Sequence, residues 1–217
     1  MLKYFFAILP VFIIVLLFYI NDKEKDKRKK IIYILLLLFG MLGSYITYRV
    51  ENKVGSYFPE MTDMNYLFAF IYSIFGVAIW EEGVKLFFLF LFTYKEKFKK
   101  KFSWISLSVV SSMGYALFEN IVFYVMKGNI YTAIGRMFTS IPSHAFFGVI
   151  MGVNFFQYKK TGKLRYLFLS LIIPTLVHAL YNLPLYKNYF RASEFCTIYL
   201  TLLCIYCVNI FIKYRNK

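Results

Sequence analysis

The stretch from Asn65 to Thr93 reads NYLFAFIYSIFGVAIWEEGVKLFFLFLFT, and its charged residues are Glu81, Glu82 and Lys85. All of its other residues are uncharged, and most are apolar. A charged side chain in the hydrocarbon of a bilayer costs about 2.5 to 3.5 kcal/mol on insertion scales, so such residues usually mark a functional site. The stretch therefore predicts a membrane-spanning segment that carries a functional site.

The whole chain has the composition of an integral membrane protein. Of its 217 residues, 60% are hydrophobic and 22% are aromatic, well above the values of soluble domains. A helix needs about 20 apolar residues to cross a bilayer. Such segments are predicted at 2–20, 31–48, 65–93, 102–126, 133–157, 166–185 and 196–213. We expect an all-α polytopic membrane bundle of about seven transmembrane helices, with residues 1–217 forming a single domain.

Most Lys and Arg residues lie in alternate connecting segments of the chain. The segments 21–30, 94–101, 158–165 and 213–217 together hold 18 of the 26 Lys and Arg residues. Because these segments follow every second span, the positive-inside rule places them in the cytoplasm, with the N-terminus outside and the C-terminus inside. The net charge of +15 thus reflects membrane topology and is compatible with contact to the anionic lipid bilayer. It does not indicate a nucleic-acid surface.

The third span is longer than a bilayer requires. Its 29 residues would form a helix of about 43 Å, whereas the hydrocarbon is about 30 Å thick. The helix must tilt, protrude or break, and a break or bend between Gly76 and Gly83 is one solution, because glycine weakens a helix. In each case Glu81 and Glu82 fall near the midplane. Lys85 follows them by four and three residues, so one ammonium can reach both carboxylates on a helix.

Three other spans carry polar residues at comparable depth. The fourth contains Glu119 and the fifth contains His144. In the sixth, His178 and Asn182 are four residues apart and share one helix face. Small residues recur beside them every four positions and allow neighbouring helices to approach closely. These positions are Ser108, Ser112, Ala116 and Asn120 in the fourth span, and Gly148 and Gly152 after His144 in the fifth. We expect a polar cluster enclosed by spans three to six.

Three kinds of chemistry remain open for such a cluster. An ionised glutamate could take a proton from water as the water attacks a carbonyl, with His and Asn donors stabilising the oxyanion. A zinc site is less favoured, because the histidines lack the i, i+4 spacing and the candidate ligands are spread over four helices. An ion or proton path is also less favoured, because the two halves show no internal repeat.

The polar motifs together resemble the PrsW family of intramembrane proteases. These motifs are Glu81-Glu82-x-x-Lys85, the segment GYALFEN from Gly114 to Asn120, Ser143-His144-Ala145-x-x-Gly148, and His178-x-x-x-Asn182. The resemblance covers about residues 65–185, the motif-bearing core. PrsW proteins are related to the type II CAAX prenyl endopeptidases and to bacteriocin-processing membrane proteases, a superfamily described as glutamic-type.

The resemblance implies a multi-pass protease of the bacterial cytoplasmic membrane. Its substrate would be a membrane-spanning anti-sigma factor, in which it makes the first cut on the extracytoplasmic side. A second intramembrane protease then acts on the product and frees an extracytoplasmic-function sigma factor.

Residue roles also follow from the resemblance. Glu81 looks like the base that activates water and Glu82 like the residue that positions it, while His178 and Asn182 resemble the oxyanion-stabilising pair. His144 resembles the histidine that assists the water, and Glu119 belongs to the same catalytic set. No cofactor and no metal ion are expected.

Two departures favour the PrsW reaction over cleavage of prenylated proteins. The CAAX enzymes have E-E-x-x-x-R and a Phe four residues before the first histidine, whereas this chain has Lys85 and Ser140. Two alternatives remain: a non-catalytic scaffold, as in the scaffold subunit of gamma-secretase, and a zinc-dependent membrane protease. The acidic pair favours an enzyme. Arg136 is interpreted as an interfacial anchor rather than a ligand of a substrate carboxylate, and residues 49–64 as the longest outer loop.

Overall fold

The structure is a computed structural model that describes residues 2–24, 26–58, 65–186 and 192–215. Within these ranges all regular secondary structure is helical. The elements are α1 (Leu2–Asn21), α2 (Lys27–Gly55), α3 (Tyr66–Tyr72), a π-helix (Ser73–Ala78), α4 (Ile79–Thr93), α5 (Lys101–Phe118), a second π-helix (Glu119–Val125), α6 (Ile130–Phe138), α7 (Ser140–Thr161), α8 (Leu164–Tyr186) and α9 (Ala192–Arg215).

Several of these helices are suited to a bilayer. Within the described residues, five are long and apolar enough to cross a membrane: Leu2–Asn21, Lys27–Gly55, Lys101–Val122, Leu164–Pro184 and Glu194–Arg215. Large apolar side chains such as Phe12, Leu38 and Leu202 are exposed on their outer faces, as expected where a helix contacts lipid. The predicted all-α polytopic membrane bundle is confirmed. The orientation of the termini stays a prediction from the charge pattern.

Helix α5 lies at the centre of the bundle. Most of its span is buried, whereas α1 and α9 leave most of theirs exposed. Glycines set its distance to two neighbours. A Cβ added to Gly114 would lie 2.1 Å from the backbone oxygen of Leu37 on α2, and one added to Gly148 of α7 would lie 2.9 Å from Cα of Val109. The small-residue stripes predicted on the fourth and fifth spans therefore pack helix against helix.

The third span is one continuous helix whose central turns are π-helical. Residues Ser73–Ala78 form a π-helix between α3 and α4, and π-helical turns are typical of functional sites. Trp80 Nε1 donates to the Phe75 oxygen at 2.8 Å, and Ser73 Oγ donates to the Ala179 oxygen of α8 at 3.0 Å. The Trp80 indole thus satisfies one backbone oxygen of the π-helix, and the Ser73 hydroxyl connects the π-helix to α8. The expected irregularity is present, but it ends at Ala78, and Gly83 lies in regular helix.

Two expected boundaries were wrong. The segment 133–157 was predicted as one span, but the chain breaks at Thr139, and α7 begins at Ser140. Pro142 explains the difference, because proline fits the first turn of a helix and disrupts a helix interior. Residues 49–55, predicted as outer loop, continue α2 to Gly55. The part of that loop between residues 59 and 64 lies outside the described residues.

A separate buried polar cluster lies at the end of the bundle that carries the basic loops. Lys29 Nζ lies 2.9 Å from Asp22 Oδ2, and both side chains are almost fully buried. The same ammonium donates to Ser103 Oγ at 2.9 Å. These bonds join the start of α2 to the start of α5. The cluster is satisfied internally and far from the polar motifs.

Candidate active site

The carboxylate pair lies in the first turn of α4, directly after the π-helix. Glu81 is 5% exposed, and Glu82 and Lys85 are fully buried. Lys85 Nζ lies 2.7 Å from Glu82 Oε1 and 3.6 Å from Glu81 Oε2. The prediction that one ammonium reaches both carboxylates is confirmed. Such pairing is required, because a buried charge without a partner is strongly destabilising.

Glu82 is held from two sides. Its Oε1 accepts hydrogen bonds from Lys85 Nζ at 2.7 Å and from His178 Nδ1 at 2.9 Å. The His178 ring stacks on Phe147 with 4.7 Å between ring centroids. Its other nitrogen, Nε2, lies 4.0 Å from Glu81 Oε2. Helix α8 therefore presents His178 with one nitrogen anchored and the other beside Glu81.

Glu81 is the more accessible carboxylate of the pair. Its side chain lines a cavity, although Oε2 of Glu81 and Oε2 of Glu82 alike have no hydrogen-bond partner among the described residues. Glu82 is not among the residues that line this cavity. The two adjacent carboxylates thus have different surroundings: one is fixed inside the protein and the other faces open space.

His144 connects the carboxylate pair to Glu119. Its Nδ1 lies 3.1 Å from Lys85 Nζ, and its Nε2 lies 2.8 Å from Glu119 Oε2. Because an ammonium can only donate, Nδ1 is the acceptor, and Nε2–H donates to the carboxylate. Both ring nitrogens are therefore engaged. The arrangement orients Lys85 through a series of hydrogen bonds from the second π-helix through α7 to α4.

Arg136 completes the surroundings of Glu119. Its Nη2 lies 3.1 Å from Glu119 Oε1 and donates to Ser140 Oγ at 2.6 Å, and its Nε donates to Asn120. Only 18% of the side chain is exposed. The interpretation of Arg136 as an interfacial anchor was wrong, because its polar end points into the bundle and binds protein groups.

Sequence reasoning missed the residues that surround the ammonium. Lys85 Nζ lies 4.2 Å from the centre of the Tyr115 ring, a cation–π distance. The Tyr115 hydroxyl shares a 2.6 Å hydrogen bond with Thr47 Oγ1, and Ser111 Oγ donates to the Lys85 backbone oxygen at 3.2 Å. Tyr115 precedes Glu119 by one helical turn and shares its face, so this spacing was the available signal.

The cavity beside Glu81 has a volume of about 500 Å³ and reaches the protein surface. Exposed residues Asn52 and Lys127 line its mouth. The mouth lies at the end of the bundle opposite the basic loops. Of the six residues predicted as catalytic, five line the cavity: Glu81, Glu119, His144, His178 and Asn182. Glu82 stands behind them, so the structure brings the predicted set together at one place.

Fold and site together define a polytopic helical membrane protein with an enzyme-like polar centre. Residues 28–211 match the model of a family described as PrsW family intramembrane metalloprotease. The chain therefore belongs to the PrsW family of intramembrane proteases.

Curated relatives that match most of this chain carry the same family name. The protein named Protease PrsW from Clostridioides difficile (strain 630) is 30% identical, and the match covers 97% of this chain and 90% of the relative. The protein of that name from Oceanobacillus iheyensis is 29% identical over 83% of each chain. That from Bacillus subtilis (strain 168) is 25% identical over 76% of this chain and 74% of the relative. No solved structure matches this chain.

The family description implies a metal ion, and the geometry can be tested against it. Ligand atoms of Glu81, Glu82 and His144 lie within 4.8 Å of one another. Lys85 Nζ lies among them, however, 2.7 Å from Glu82 Oε1, 3.1 Å from His144 Nδ1 and 3.6 Å from Glu81 Oε2. An ammonium there repels a divalent cation and uses the lone pairs that a metal would need. As arranged, these residues hold an ammonium and do not fit a metal ion.

Proposed function

We propose that this chain is a glutamic-type endopeptidase of the cytoplasmic membrane. It makes the first cut, on the extracytoplasmic side, in a membrane-spanning anti-sigma factor. The observation that carries the catalytic part is the asymmetry of the acidic pair. Glu82 accepts hydrogen bonds from Lys85 and His178 and does not line the cavity, while Glu81 lines the cavity and makes only a longer contact of 3.6 Å with Lys85. One carboxylate is thus available as a base, and its neighbour is available to position it.

In this proposal Glu81 binds a water molecule in the cavity and removes one of its protons. The water oxygen attacks the carbonyl carbon of the substrate peptide bond and forms a tetrahedral intermediate. Glu81 then passes the proton to the leaving amine, the carbon–nitrogen bond breaks, and a new carboxyl and a new amine are released. This transfer leaves Glu81 ionised again, the new carboxyl releases its remaining proton to solution, and another water molecule can bind, so the enzyme is unchanged.

His178 and Asn182 stabilise the oxyanion of the intermediate. Both line the cavity on one face of α8. His178 can donate from Nε2 while its Nδ1 bonds the Glu82 carboxylate when both ring nitrogens carry protons. The amide of Asn182 supplies the second donor. Removal of one such donor typically costs about 10²- to 10³-fold in kcat.

His144 and Glu119 act through Lys85 rather than on the water. Both nitrogens of His144 are engaged, one by Lys85 and the other by Glu119. This proposal departs from the water-assisting role that the family resemblance implied for His144. Instead, the hydrogen bonds that run from Glu119 through His144 hold the Lys85 ammonium between the Glu81 and Glu82 carboxylates.

We infer the side of the membrane on which the substrate is cut from the charge pattern and from the position of the cavity. The cavity mouth lies opposite the basic loops, which the positive-inside rule places in the cytoplasm. A peptide bond near the outer surface could therefore reach Glu81. The anti-sigma substrate and the second intramembrane protease that acts on the product come from the family resemblance.

Co-expression with a tagged single-span anti-sigma factor tests this proposal. Wild type, Glu81→Gln and the control Glu194→Gln are compared at matched expression levels. Glu194 is an exposed carboxylate on α9 outside the cavity. We expect a shortened ectodomain product with wild type and the control but not with Glu81→Gln. Equal products from all three proteins, or none with several anti-sigma factors, would rule out the catalytic role of Glu81 and favour a scaffold.

A further inference from the structure

A partly buried carboxylate that the proposed mechanism does not use faces the same cavity. Glu51 lies near the end of α2, and its side chain lines the cavity together with Tyr48 and Tyr72. Its Oε1 is buried and has no hydrogen-bond partner among the described residues. Buried polar atoms are nearly always paired, so an unpaired carboxylate oxygen in a cavity indicates a missing partner.

The neighbouring charges do not supply that partner. Lys85 is engaged by Glu82 and His144, and Arg136 is engaged by Glu119. Lys127 lies at the mouth, exposed, and forms no ion pair with Glu51 within 4.0 Å in the described structure. Three carboxylates line the cavity, at positions 51, 81 and 119. Glu81 has the Lys85 ammonium at 3.6 Å and Glu119 has the Arg136 guanidinium at 3.1 Å, whereas Glu51 has no such cation among the described residues. This difference favours a cationic ligand at Glu51.

The surroundings of Glu51 also suit a cation. Tyr48 and Tyr72 line the cavity beside it, and aromatic faces attract ammonium and guanidinium groups. An extended peptide rises about 3.3 Å per residue, and a compact cavity of the observed volume is about 10 Å across. A substrate segment therefore crosses the cavity in about three residues.

We propose that Glu51 is a specificity-determining residue that binds a lysine or arginine side chain of the substrate within about three residues of the cleaved bond. This inference rests on the proposed function, because it assumes that the peptide bond is cleaved beside Glu81. It adds a substrate class: single-span proteins with a basic residue in the outer juxtamembrane segment. Glu51 does not touch the reacting atoms.

Cleavage profiling is the first test. Purified full-length protein in detergent is incubated with a peptide library derived from a bacterial proteome, and the cleaved bonds are identified by mass spectrometry. We expect Lys and Arg to be enriched near the cleaved bond with wild type and with the control Glu194→Gln. Glu51→Gln should reduce that preference about tenfold, the worth of one charged hydrogen bond. Glu51→Lys should shift it toward Asp and Glu.

A binding measurement separates failure of this inference from failure of the proposed function. In a Glu81→Gln background, two degenerate peptide pools are compared, one with arginine at the central position and the other with citrulline, its neutral isostere. We expect about tenfold tighter binding of the arginine pool, lost on adding Glu51→Gln. Arginine-selective binding without cleavage by wild type would overturn the protease and retain Glu51. Equal binding of both pools, or an unchanged cleavage preference in Glu51→Gln, would overturn the role of Glu51.

Discussion

Lys85 determines the charge balance of the candidate site. Its ammonium contacts both carboxylates of the pair and His144, and it lies over the Tyr115 ring. No water-exposed surface remains on the side chain. Removal of the Lys85 ammonium should therefore lower the stability of the fold and also disturb the arrangement of the two carboxylates.

We predict that Lys85→Met destabilises the protein and abolishes cleavage. Removing one partner of a buried ion pair typically costs about 3 to 5 kcal/mol, because the remaining charge stays buried. Thermal unfolding in detergent and cleavage at a temperature where the variant is folded measure the two effects. Lys29→Met is the matched control, since it breaks the buried pair with Asp22 at the other end of the bundle. It should lose comparable stability and keep cleavage, whereas an active Lys85→Met would refute the proposed site.

At the scale of helices, glycine-mediated contacts hold α5 against its neighbours. Gly114→Ala should be strongly destabilising, because its Cβ would lie 2.1 Å from the Leu37 backbone oxygen, and backbone cannot move aside cheaply. The control is Gly135→Ala, where nothing lies within 4 Å of the added Cβ. Its helix should be slightly stabilised, since alanine is the better helix former. Similar unfolding temperatures for the two variants would show that the α2–α5 contact is looser than described.

Glu24 links two helix connections at the basic end. Its carboxylate accepts hydrogen bonds from the backbone N–H groups of Lys99 at 2.9 Å and Lys100 at 3.1 Å, and from Ser103 Oγ at 3.0 Å. Partial burial raises the pKa of Glu24, but these hydrogen bonds and the charge of Lys29 outweigh it. The pKa therefore lies below its ordinary value of 4.5.

This shift predicts a pH-dependent contribution to stability. Because the pKa is lower in the folded state, the contribution is present above about pH 4.5 and is lost as the pH falls through the folded-state pKa. Glu24→Gln should cost about 1 kcal/mol at neutral pH, as loss of a helix cap does. The difference in unfolding temperature from wild type should shrink as the pH falls below 4.5. A constant difference across that range would contradict the assignment.

At the scale of the whole molecule, the charge pattern predicts the membrane orientation. In a chain whose Cys196, Cys204 and Cys207 are replaced by serine, single cysteines at the exposed positions Asn52 and Lys97 report on the two ends. We expect Asn52→Cys to react with a membrane-impermeant maleimide in intact cells, and Lys97→Cys to react only after permeabilisation. The reverse pattern would place the cavity mouth in the cytoplasm and exclude an extracytoplasmic cut.

Much of the architecture could be predicted from local sequence. Hydropathy indicated a helical membrane bundle, and i, i+3 and i, i+4 spacing predicted the contacts of Lys85 with its two carboxylates. Contacts between residues on different helices could not be predicted from local spacing. The contact of Glu119 with Arg136 and the position of Glu51 were therefore missed. A hydropathy window also averages over a helix break, which explains the wrong start of the fifth span at residue 133.

In the proposed mechanism, peptide hydrolysis depends on Glu81 in a site whose cation is Lys85 rather than a metal. Metal content and cleavage rate are measured on the same purified sample, with wild type and Glu81→Gln compared before and after chelator treatment. We predict that wild type without stoichiometric metal cleaves at its full rate, and that Glu81→Gln is inactive in both conditions. Activity that disappears with the chelator and returns in proportion to added zinc would contradict the account.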